Sequence, residues 1–318
     1  MKRQSVNLRS LNVLRGLLAV YVLFGHSRWL LWAGHGEWLR QPHAAWEVPV
    51  AYASASLRFG HEAVMVFFVL SGFFIHLTAA EGFNRGAAVA LSPGRFYRRR
   101  LHRLAAPYVF ALLVTVACDV AGRTWFPRLY GSGTGDELLD QTFAKTGYSW
   151  KSVAPAVALL PSSLGWDFGS NGPLWSLAFE VVYYALYPAW LATRRRHAAL
   201  AFGLVPLASL ALAFVLAPLF GLRVLLYYPV WLAGAALAER LSGSQLSAKS
   251  AVAAALVLVA AMVLHLFSTS VLLTVCAAIV LGSAAVCAFA ALPETLCQWK
   301  LPALMEYLGV RSYTIYIV

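Results

Sequence analysis

"LRGLLAVYVLFGHSRWL", residues 14–30, decides the fold. The stretch is nearly as long and apolar as a bilayer crossing requires, yet it carries Arg15 near one end and His26 near the other. Eleven residues separate the two, and at about 100° per residue that spacing returns to within roughly 20° of the same helix face. An ionisable side chain in hydrocarbon is costly enough to be read as functional by default. A helix that could have been all Leu and Val places two of them on one side.

The rest of the chain is built in the same way. Of its 318 residues, 60% are hydrophobic and 12% charged, and the mean hydropathy is +0.68. Soluble domains carry about a quarter charged residues, so the composition excludes that class and predicts an all-α, polytopic integral membrane bundle. The net charge of +12 does not imply nucleic acid, because the basic residues cluster in the connectors between apolar runs, where topology signals lie. The first run is long and lacks a small-residue cleavage site, so it is expected to remain as a span. Cys118, Cys276, Cys287 and Cys297 form no CxxC pair and read as packing residues, with no metal site.

Windows near the length needed to cross a bilayer fall at 11–33, 59–80, 104–121, 173–193, 198–218, 222–239, 250–267, 270–292 and 303–318. This gives about nine to ten transmembrane helices in a single domain over 1–318. The last window is still apolar at Val318, so the chain is expected to end inside its final helix. Basic groups at Lys2, Arg3 and Arg9, at Arg85 and Arg95 to Arg103, and at Arg194 to Arg196 place those connectors, and the N-terminus, in the cytoplasm. The stretch from 122 to 172 balances its charges and is expected outside. Within it, "SVAPAVALLPSSLG" (152–165) is too short to span and contains two prolines; it reads as interfacial or re-entrant.

Few ionisable groups lie inside these windows. Glu180, in "NGPLWSLAFEVVYYALYP", is the carboxylate deepest in an apolar run, whereas Asp119, at a span end, is expected to be solvated. Antiparallel first and fourth spans put His26 and Glu180 in the same outer half, with Arg15 about 16 Å closer to the cytoplasm. A carboxylate beside an imidazole orients a general base. Each residue also has a plainer reading. Arg15 could snorkel to headgroups, His26 could be interfacial, and Glu180 could pair with a polar group on a neighbouring helix. The run "RFYRRRLHRLAAPY" (95–108) suits bidentate phosphate capture, but basic connectors more often mark topology. In "FFVLSGFFI" (67–75), Ser71 and Gly72 read as close-packing residues.

Taken in order, these fragments resemble the acyltransferase 3 family of membrane O-acyltransferases. "LRGLLAVYVLFGH" is similar to its first-helix motif, carried by Arg15 and His26, and "VFFVLSGFFI" to its second. "RRRLHRLAAPY" resembles its Arg-x-x-Arg segment, through Arg100 and Arg103. "NGPLWSLAFEVVYYALYP" resembles its Trp-Ser-Leu and glutamate motif, through Asn171, Trp175, Ser176 and Glu180, and "LGVRSYTIYIV" the start of its last helix. Met65 departs from the acidic or amide residue that many members carry there.

The resemblance implies transfer of an acyl group, usually acetyl, from cytoplasmic acyl-CoA to a hydroxyl of a carbohydrate or lipid-linked saccharide. His26 would be the general base and Glu180 its partner. Arg15, Arg100 and Arg103 would hold the acetyl-CoA donor, while Trp175 and Asn171 would shape the acceptor site. It also implies a multi-pass protein of the bacterial cytoplasmic (inner) membrane. The rival reading is a proton-coupled transporter or flippase of a glycan precursor, which predicts inverted-repeat symmetry; the sequence displays no obvious internal repeat.

Overall fold

The structure, a computed structural model, describes residues 7–31, 35–40, 42–131, 134–135, 139–144, 147–162, 167–220, 223–242, 248–266 and 270–317. Among the described residues there is no strand. The main helices are α1 (Leu8–Leu31), α2 (Gly60–Asn84), α3 (Pro93–Trp125), α4 (Trp150–Val157), α5 (Trp175–Arg196), α6 (Val205–Phe220), α7 (Tyr228–Leu241), α8 (Ala248–Leu266), α9 (Val271–Ala290), α10 (Lys300–Val310) and α11 (Ser312–Ile317). Among the described residues, four stretches, Leu8–Arg28, Glu47–Asn84, Pro93–Trp125 and Val271–Ala290, are long and apolar enough to cross a bilayer. The chain is thus compatible with a helical membrane protein. The expected windows 173–193, 198–218, 222–239 and 303–318 are occupied by helices that are shorter or more polar, whereas the window 250–267 holds α8, an apolar helix of 19 residues.

Two boundaries depart from the sequence reading for local reasons. Helix α3 begins at Pro93, ahead of the window expected at 104, because a proline in the first turn needs no amide partner and its φ suits a helix start. The basic segment is therefore helical, and Arg100 and Arg103 are held on its opening turns. The window 303–318 breaks into two helices at Arg311, whose amide takes the Leu308 carbonyl at 3.0 Å while its guanidinium folds 3.8 Å over the Tyr307 ring. The 152–165 segment forms only the eight-residue α4, about 12 Å long. It is pinned to α3 by the Tyr108 hydroxyl, which donates to the Ala156 carbonyl at 2.7 Å. Residues 163–165 of that segment lie outside the described residues.

Glycines set the closest helix crossings. A Cβ on Gly72 would lie 1.9 Å from the Trp231 carbonyl oxygen, and one on Gly234 would lie 1.9 Å from that of Val69, so α2 and α7 touch backbone to backbone. Gly16 and Gly309 do the same for α1 and α10, against the carbonyls of Met305 and Asn12. Without a hydrophobic drive between helices in lipid, such small-residue contacts carry much of the association. Gly234→Ala should therefore lower stability by about 2 kcal/mol or more in detergent thermal unfolding. Gly94→Ala, where a Cβ meets nothing within 4 Å, should leave the transition unchanged.

These crossings fix the direction of the helices that matter for the site. Arg15 of α1 lies over Phe74 of α2. The Tyr21 hydroxyl meets the amide of Phe59, just before α2, at 3.1 Å, so α1 and α2 run antiparallel. Arg194, near the end of α5, makes two 2.7 Å bonds to Glu239 near the end of α7, and Asn84 at the end of α2 donates to the Glu239 carbonyl. Arg9, Arg85, Arg95 to Arg103 and Arg194 to Arg196 accordingly gather at one end of the bundle. Along α3, Val109, Phe110, Leu113, Val116 and Val120 are exposed, the stripe a lipid-facing helix presents.

Candidate active site within the helix bundle

Between α1, α2, α3, α5 and α11 lies a cavity of about 50 Å³, room for about four water-sized groups. Glu180 projects into it from the second turn of α5, only 9% exposed. Its Oε1 accepts from the Ser71 hydroxyl at 2.6 Å and from the Tyr184 hydroxyl one turn on. Ser71 in turn accepts from the Trp231 indole N–H at 3.2 Å.

Three guanidinium groups face this one carboxylate. Arg15 reaches in from α1, donating to the Ser312 hydroxyl at 3.2 Å, with its guanidinium 5.6 Å above the Phe74 ring. Arg100 and Arg103, three residues apart on α3, line the same space. The Arg100 side chain lies against Phe96 and Tyr184, at 5.4 and 5.7 Å from the ring centroids, and its buried Nε–H has no hydrogen-bond acceptor. Arg103 is exposed and marks the rim. The lining therefore carries an excess of positive charge and a buried donor without an acceptor, the complement of an anionic, oxygen-rich ligand.

The sequence singled out Arg15, Arg100, Arg103 and Glu180, and the fold brings these four together. His26 is not among the lining residues; it stands about 16 Å farther along α1. There the helix packs on the Ser56–Arg58 turn, and a Cβ on Gly25 would lie 3.2 Å from the Leu57 carbonyl. Glu180 thus shares Arg15's cavity, not His26's level, because Ser71 draws its carboxylate toward the middle of α2. On α2 the lining runs from Val64 to Ile75, also about 16 Å, so the cavity wall extends from the arginines toward the His26 end.

Trp175 opens α5 stacked on His61, with centroids 5.7 Å apart, and meets Phe68, a lining residue, edge-on at 6.1 Å. The Asn171 amide donates to the Thr115 hydroxyl of α3 at 3.0 Å, which fixes the chain just before α5.

Asp119 corrects an expectation. Anticipated in water, it is fully buried and accepts four hydrogen bonds: from the Tyr130 and Tyr148 hydroxyls at 2.9 and 2.7 Å, and from the Ser170 hydroxyl and amide at 2.5 and 3.0 Å. Gly169 adopts φ +58°, and a Cβ there would lie 2.3 Å from an Asp119 oxygen. The knot ties the loop after α3 to the segment that leads into Asn171, Trp175 and Glu180. Asp119→Ala strands these donors and should destabilise the protein by about 3 kcal/mol or more. Burial, followed by the bond to Asp119, pushes the Tyr130 hydroxyl up to about 12 from 10.0. Its contribution is therefore full below pH 10 and fades as pH rises through about 12, which thermal unfolding across that range would record.

A second polar cluster went unread in the sequence. His76, fully buried, meets the Tyr187 hydroxyl at 3.1 Å and Glu239 at 2.9 Å, and Glu239 also holds Arg194. Glu239 lies beside Arg240 at the end of an apolar run, which gave no sign that it turns inward.

Helices long enough to cross a membrane, enclosing an arginine-rich cavity with a buried carboxylate, are compatible with a membrane protein whose candidate site lies among its helices. A family model for the acyltransferase domain matches residues 8–318, essentially the whole chain, and the chain belongs to the acyltransferase 3 family. It is therefore a membrane acyltransferase. No curated protein and no solved structure matches it.

Proposed function

We propose that the protein transfers an acyl group, acetyl foremost, from acyl-CoA at the cytoplasmic face to a hydroxyl of a carbohydrate or lipid-linked saccharide on the far side of a bacterial inner membrane. The observation that carries this reading is the convergence of Arg15, Arg100 and Arg103 on one cavity with Glu180. Arginines suit the phosphates of the donor or the developing oxyanion, and the cavity has room for a two-carbon acyl group but not a nucleotide. The nucleotide end would stay outside the rim, near exposed Arg103 and the basic turns of α3. The positive-inside rule assigns that end of the bundle, with the N-terminus, to the cytoplasm.

On this reading the donor thioester enters at the arginine end and the acceptor hydroxyl arrives from the His26 end. His26 assists the acceptor hydroxyl on its way in, and Trp175 with Asn171 holds the sugar. A pantetheine arm can bridge much of the 16 Å or so between Arg15 and His26. One catalytic unit, residues 8–318, would then serve both faces of the membrane.

Binding of acetyl-CoA to the purified protein tests the donor side. Arg100→Ala should weaken it about tenfold or more, the worth of one charge-assisted hydrogen bond, without lowering thermal stability. Unchanged affinity would remove Arg100 from the donor site.

A further inference from the structure

Ser71 is satisfied in a way that a packing serine is not. Hydroxyls inside helices ordinarily bond back to the carbonyl four residues earlier, as Ser27, Thr115 and Thr124 do here, to Leu23, Ala111 and Val120. Ser71 instead donates across the cavity to a carboxylate, Glu180 Oε1 at 2.6 Å, and accepts from the Trp231 indole at 3.2 Å. The residue is half-buried and lines the same space as Arg15, Arg100 and Arg103. The adjacent Gly72 lies against the Trp231 backbone, so the crossing that places the indole also fixes the height of Ser71. A hydroxyl hydrogen-bonded to a base, oriented by a third group and faced by cationic donors is the arrangement of an activated nucleophile.

Resting on the proposed acyl-CoA transferase reading, we infer that Ser71 is the acyl carrier: the acyl group passes from the thioester to Ser71 Oγ, then to the acceptor hydroxyl. In the first half-reaction Ser71 Oγ attacks the thioester carbonyl while Glu180 takes the hydroxyl proton. An arginine of the cavity holds the oxyanion, the carbon–sulfur bond breaks, and CoA leaves as a thiol that carries the proton from Glu180, which is then a carboxylate again. In the second, the acceptor oxygen attacks the Ser71 ester carbonyl and Glu180, within reach of Ser71 Oγ, takes the acceptor's proton. The bond to Ser71 Oγ breaks and Glu180 returns its proton to that oxygen. One carboxylate thus serves both half-reactions at Ser71, while His26, at the other level of the bundle, stands on the acceptor's path.

The test uses the full-length protein in lipid nanodiscs with acetyl-CoA, isotope-labelled CoA and no acceptor. Wild type should exchange label between CoA and acetyl-CoA, which direct transfer cannot support. Acid-quenched peptides should carry an acetyl ester on residue 71. Ser71→Ala should abolish exchange and lower transfer to a hydroxylated acceptor by at least about 100-fold. Ser71→Cys, nearly the same size, should instead trap the acetyl group as a thioester on that residue. The inference is overturned if Ser71→Ala transfers acetyl at the wild-type rate, or if wild type transfers acetyl with neither exchange nor an ester at position 71; in both cases the transferase reading stands. If wild type transfers no acyl group to any hydroxylated acceptor and consumes no acyl-CoA, both fall together.

Discussion

Glu180→Gln is expected to lower acyl transfer by roughly 10² to 10⁴-fold, the range associated with losing a positioned proton acceptor. Gln keeps a carbonyl oxygen that can accept from Ser71 and Tyr184, so the change removes the charge and the basicity while leaving the local hydrogen bonding in place. Thermal unfolding should therefore move far less than the rate. Release of CoA from acetyl-CoA in the presence of acceptor is the measurement. The loss should appear in kcat, because Arg100 and Arg103 remain to hold the donor.

His26→Asn should be the second large effect, about 10²-fold or more on transfer to the acceptor, but of a different kind. His26 stands apart from the cavity, at the end of α1 that packs on the Ser56–Arg58 turn. Its loss should spare acetyl-CoA binding, which the Arg100→Ala change weakens. Titrating acetyl-CoA into the His26→Asn protein checks this: affinity close to wild type, with transfer lost, assigns His26 to the acceptor side. If donor affinity falls in parallel, His26 belongs to the donor site and the separation of roles along α1 is wrong.

Much of this was readable from the residues. Apolar windows bounded by arginines locate the helices, since both the burial of backbone polar groups and the sidedness of charge are dictated by the bilayer. Arg15 and Glu180 stood out for the same reason, as groups that hydrocarbon does not tolerate without a purpose. Spatial partnership was not readable. Glu180 was matched to His26 by depth alone, and a count of residues along two antiparallel helices cannot register that Ser71, on a third helix, lies nearer. Asp119 looked like a solvated helix end because its donors return from eleven to fifty-one positions away, at Tyr130, Tyr148 and Ser170, and no periodicity encodes that return. The Arg95–Arg103 run was read as a connector because charge dominated the window, although Pro93 already offered a helix start.

Transfer itself gives the most direct check on the central claim. Cells lacking the gene would receive wild type, Glu180→Gln or an empty vector, and their surface and lipid-linked glycans would be analysed by mass spectrometry for ester-linked acetyl. The cavity built from Arg15, Arg100, Arg103 and Glu180 predicts acetyl esters with wild type and none above the empty-vector level with Glu180→Gln at equal expression. Equal acetylation by wild type and Glu180→Gln would contradict it.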